Sequence, residues 1–81
     1  MDKEFEYKKE ALTVELAESI MRDFGVSPAT ALGILYNSDT YAKLCDIRTG
    51  LFFQSANYVY SFLKEELRTG KMVQSGGFNN Q

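Results

Sequence analysis

The chain has 81 residues, with nine Lys and Arg against eleven Asp and Glu, a formal charge of −2, one cysteine and no histidine. A chain this short is one domain that buries only roughly 60% of the surface its unfolded form exposes, so association with itself or a partner is a natural supplement to its stability. The charge balance supplies no extended basic face, which disfavours nucleic acid; Cys45 alone cannot close an internal disulfide, and the first ten residues hold no apolar stretch of signal-peptide length, so the cytoplasm is the expected compartment.

From Phe5 to Phe24 the apolar positions Leu12, Leu16, Ile20 and Phe24 step by four, with Ala17 and Met21 beside them and Glu10, Glu15, Glu18 and Asp23 off the stripe. This spacing predicts an amphipathic helix whose stripe is core. Gly25 stands where a left-handed terminal residue is wanted, and Val26 is placed for the hydrophobic contact that often accompanies that cap. Ser27-Pro28 then reads as a second start, because serine caps open N–H groups and proline at the first helical position gives up a donor that has no partner. The second helix runs to about Tyr36, and Gly33 inside it marks either close approach of another helix or a tolerated glycine.

Asn37-Ser38-Asp39-Thr40 is a cluster of turn and capping residues. Tyr41, Leu44 and Cys45 follow at helical spacing, and Thr49-Gly50 closes a short third helix. Cys45 sits beside the apolar side of that helix; with no histidine in the chain to take its proton, it reads as a small buried side chain rather than a nucleophile. Leu51 to Gln54 is too short and too apolar for a helix between glycine and Ser55, so an extended connector is expected there, one that can pair with its copy across a dimer. Ser55 caps a fourth helix with Ala56, Val59, Phe62, Leu63 and Leu67 as its core stripe and Gly70 at its end. Lys64, Arg68 and Lys71 complement the negative end of its dipole. The organisation expected is a single helical domain over 1–71, a compact all-α bundle of about four helices with a short extended connector at 51–54, and a flexible tail over 72–81 that carries Phe78.

No catalytic set is visible. The commonest base is missing with histidine, and Asp39 and Asp46, seven residues apart, are explained as a helix start and a solvated charge near Arg48. No cysteine pair, histidine or alternating-carboxylate loop offers a metal site, and Gly76-Gly77 leads into no helix that would hold a phosphate. Neither a metal, a cofactor nor a small-molecule substrate is therefore expected. No run approaches the roughly 18 apolar residues of a membrane span, and no membrane partner is expected. A helix-turn-helix is conceivable from the second helix, the turn at 37–39 and the third helix, but the third helix would open on an acid and offer only Lys43 and Arg48 as cations.

Seven of the eleven aromatic residues lie between Tyr36 and Phe62, more large side chains than a small core readily encloses. The run Tyr36, Ser38, Tyr41, Leu44, then Thr49-Gly50-Leu51, then Ser55, Tyr58 and Tyr60 resembles a family of small helical bacterial proteins classed as a domain of unknown function, over about residues 10 to 70. That resemblance implies an operon companion of toxin-like proteins, an antitoxin or accessory subunit, and brings no catalytic residue. The function expected is a non-catalytic protein-interaction module that binds a protein partner or a second copy as a homodimer, through Tyr41, Phe52, Phe53, Tyr58 and Tyr60. The alternative is a small dimeric helix-turn-helix-like DNA-binding regulator.

Overall fold

The computed structural model describes residues 3–70. Helices α1 (Lys3–Phe24), α2 (Pro28–Tyr36), α3 (Asp39–Leu44) and α4 (Ala56–Thr69) form an all-α bundle, with two 3-10 turns, η1 (Ile47–Thr49) and η2 (Leu51–Phe53), between the last two. No strand occurs among the described residues. The tail expected over 72–81, with Phe78, lies outside them.

Helix α1 is the backbone of the fold. Leu16 and Ile20 are fully enclosed, with Phe5, Leu12 and Ala17 beside them, and α2, η2 and α4 all pack on this side. A stripe stepping by four turns about 40° at each step in a helix of 3.6 residues per turn, so Phe24 has swung about 120° from Leu12. It ends 43% exposed rather than in the core. Gly25 closes the helix at φ +66°, its N–H donating to the Met21 carbonyl at 2.9 Å.

Helix α2 begins as the sequence predicts, with Ser27 Oγ accepting from the Thr30 N–H at 3.2 Å and Pro28 in the first turn. Ala31 and Leu35 are its fully buried residues. A side chain built at Gly33 would meet nothing within 4 Å, so this glycine is a tolerated one and no helix approaches it closely.

Two expectations about the middle of the chain are corrected. Helix α3 is only six residues and stops at Leu44, leaving Cys45 as its exposed cap rather than a buried side chain. Leu44 takes the enclosed position instead, because a helix of under two turns has room for few inward residues. The segment 51–54 is not an extended connector either, since residues 51–53 form a 3-10 turn and only Gln54 is extended. Gly50, at φ +73°, reverses the chain, and the N–H groups of Phe53 and Gln54 donate to the carbonyls of Gly50 and Leu51 at 3.1 and 3.0 Å. Phe52 anchors the resulting 3-10 turn in the core, its ring edge-to-face with Phe5 at 4.9 Å.

Helix α4 starts on Ser55, whose Oγ accepts from the Tyr58 N–H at 3.1 Å, and ends on Gly70 at φ +87°. Val59, Tyr60 and Leu63 are its buried apolar residues. Phe62, expected among them, is half-buried and lies edge-to-face with Tyr58 at 5.1 Å.

Glu66 is the buried acid of this helix. Its Oε2 accepts from the Asp39 N–H at 2.7 Å, and its Oε1 from the Thr40 N–H at 3.0 Å and the Thr40 hydroxyl at 2.9 Å. The carboxylate thus satisfies the first N–H groups of α3, where the helix dipole is positive. Ser38 completes that end. Its Oγ accepts from the Tyr41 N–H at 3.0 Å and donates to the Leu35 carbonyl at 2.7 Å, so the end of α2 and the start of α3 share one hydroxyl.

Replacing Glu66 by Ala leaves these donors buried without an acceptor, and we expect a loss of about 2–3 kcal/mol in urea unfolding. Glu65→Ala, which removes only a partly exposed ion pair with Arg68 at 3.0 Å, should cost under about 0.5 kcal/mol.

Candidate functional site

A groove of about 250 Å³ opens between α1 and the stretch from η2 into α4. Tyr7, Lys8, Ala11, Leu12 and Glu15 form one wall; Phe52, Phe53, Gln54, Ser55 and Ala56 form the other. Phe52 belongs at once to the groove and to the core, at 5% exposure. Phe53 stacks against it at 4.2 Å between ring centres but is itself 63% exposed, and Tyr7 on the opposite lip is 76% exposed. The local cause is the tight 3-10 geometry of η2, which sends successive side chains about 120° apart and so turns one phenylalanine inward and the next out.

The exposed side of α1 continues this surface. Tyr7, Ala11, Val14 and Glu18 recur at helical spacing opposite the core stripe, and Val14 is 56% exposed. Tyr7 and Val14 were not singled out by sequence, although their position off the stripe of Leu12, Leu16 and Ile20 carries the signal. Large apolar side chains on the polar face of an amphipathic helix have no burial to explain them.

The five residues expected to bind a partner do not form one patch. Phe53 stands at the groove and Phe52 behind it. Tyr58 is two residues after Ala56, so it points to the other side of α4, where it meets Phe62. Tyr41 is half-buried, 5.2 Å from Tyr36 between ring centres, and burial pushes its hydroxyl pKa up against the opposing hydrogen bond to Thr13. Tyr60 is buried, and its hydroxyl donates to Asp23 Oδ2 at 2.8 Å and to the Ser19 carbonyl at 3.3 Å.

The Tyr60–Asp23 pair joins α4 to the end of α1, with Lys64 4.0 Å from the same Asp23 oxygen. Desolvation first, and then the neighbouring carboxylate, push the Tyr60 hydroxyl up to about 12. The hydrogen bond from Tyr60 holds Asp23 below the ordinary carboxylate range, against the opposing effect of desolvation. Asp46, by contrast, is a local charge. Its carboxylate accepts from the Arg48 N–H at 3.0 Å and pairs with the Arg48 guanidinium at 2.8 Å, which brings it down to about 2. Among the described residues no group of three or more acidic, cysteine or histidine side chains is placed to hold a metal ion, and no helix is long and apolar enough to cross a membrane.

Two measurements check these assignments. Because the folded pKa of Tyr60 is raised, its contribution to stability is complete below pH 10 and is lost as pH rises from there through about 12. Tyr60→Phe should remove that alkaline loss, together with the late step in the phenolate absorbance titration. In urea unfolding, Phe52→Ser should cost about 3–5 kcal/mol and Phe53→Ser under about 0.5, separating a core ring from a surface ring one residue away. Comparison of the chain with protein families, with curated proteins and with solved structures finds no match.

Proposed function

We propose that the chain is a cytoplasmic, non-catalytic protein-interaction module whose groove between α1 and η2 receives a helix from another protein chain. The observation that carries this reading is the pair of aromatic lips, Tyr7 and Phe53, exposed on either side of a groove whose wall includes the buried Phe52. Aromatic rims of this kind suit helix-in-groove recognition, because an exposed ring offers a large contact area, and tyrosine adds a polar tip. The finer role, antitoxin or accessory subunit of a bacterial effector, rests on the family resemblance of the Tyr36 to Tyr60 run alone.

The DNA-binding alternative draws less support. Helix α3, in the place of a recognition helix, has Lys43 as its only cation, buries Thr40 and Leu44, and has its first N–H groups occupied by Glu66. Binding to phosphate backbones normally uses such groups together with several cations.

The test is capture of partners by the tagged chain from its native cells. Tyr7→Ser and Phe53→Ser should each lower the retained partner by about tenfold or more, and Tyr58→Ser, on the other side of α4, should leave it unchanged. Equal retention by all three variants overturns the assignment of the groove, and a salt-sensitive gel shift of random duplex DNA would support the alternative.

A further inference from the structure

We propose that the helix received by the groove face is α1 of a second copy, laid antiparallel across α1 about a two-fold axis near Ala11. The inference rests on the interaction reading above and names its occupant.

Charge is what singles out the second copy. Lys8 and Glu15 both line the groove, and neither takes part in an ion pair among the described residues. Seven residues separate them, two turns and about 10 Å along the axis, so they share a face of α1 with opposite charges at its two ends. A face with this pattern is complementary to itself when reversed. In an antiparallel pair centred between positions 11 and 12, each Lys8 meets the Glu15 of the other copy, and the two contacts form together because a two-fold interface is isologous. Ala11 sits at the crossing, where a small side chain lets two helices approach closely. The same register brings Tyr7 over the turn that carries Val14, so the exposed rings and methyl groups of the two copies cover one another. Glu4 and Glu18 also fall opposite each other. Both lie at the outer ends of the contact, where solvent and salt screen the repulsion.

The arrangement is tested by charge reversal on the full chain, followed by sedimentation equilibrium over a concentration series at low salt. The native chain should dimerise, and more weakly as salt is raised, since rim ion pairs are screened. Lys8→Glu and Glu15→Lys, each alone, should weaken the dimer by about 10- to 30-fold, because two attractive contacts become repulsive. A one-to-one mixture of the two variants should recover the native affinity as a heterodimer, since one copy then presents two acids and the other two bases. Glu15 is exposed and Lys8 half-buried, so unchanged circular dichroism and melting temperature are required to show that the substitutions act on association. A native chain that stays monomeric at several hundred micromolar overturns the proposal, as does a dimer indifferent to either reversal or a mixture that associates no better than its components. If the chain is monomeric and Tyr7→Ser or Phe53→Ser still releases a captured partner, the interaction reading stands and only the second copy is removed as its occupant.

Discussion

The bond between Glu66 and the start of α3 is the constraint on which the second half of the chain depends. An isolated helix of six residues does not persist in water, since nucleation is costly and too few bonds follow it. Here α3 begins on a carboxylate supplied by another helix, so its end is held from outside before its own hydrogen bonds contribute. From that fixed start follow the inward position of Leu44 and the course of the two 3-10 turns, the first of which is tied back by the Thr49 hydroxyl donating to the Lys43 and Asp46 carbonyls at 2.7 and 2.9 Å. The acid itself is tolerable inside because its oxygens accept three hydrogen bonds. A buried carboxylate without them would be strongly disfavoured.

The helices were legible in sequence wherever a local device marks them. Ser27-Pro28, Ser38 and Ser55 cap the helices they announce, and Gly25 and Gly70 adopt the left-handed conformation that ends one. These signals act over three or four residues and owe nothing to tertiary packing. What was not legible depends on partners distant in the chain. Glu66 reads as one more solvated acid between Glu65 and Leu67; only the position of Asp39, 27 residues earlier, makes it a cap. The 3-10 turn at 51–53 was likewise hidden, because its conformation is fixed by Phe52 meeting Phe5 across the fold.

The aromatic residues show the same division. Their density between Tyr36 and Phe62 suggested one surface, yet density along a chain says nothing about direction. Phe52 and Tyr60 turn inward, Tyr58 pairs with Phe62 on the outer side of α4, and of the five only Phe52 and Phe53 line the groove, with Phe53 alone exposed there. The ring that completes that groove, Tyr7, lies far from the cluster in sequence, on the opposite face of the helix that carries the core stripe. Periodicity identifies the face that packs; it leaves the composition of the other face to be read separately.

The described part of the molecule measures 34 × 33 × 19 Å, a disc about two helices thick. In so thin a body the core lies close to the faces, and Phe52 illustrates the point by serving the core on one side and the groove on the other. Occupancy of the groove and global unfolding are therefore thermodynamically linked, since a guest that covers Phe52 and Leu12 holds together the same α1–η2 contact that must separate when the chain opens. Amide protons along α1 and η2 would then exchange more slowly if a guest were bound, because its binding free energy would add to the cost of opening this small domain.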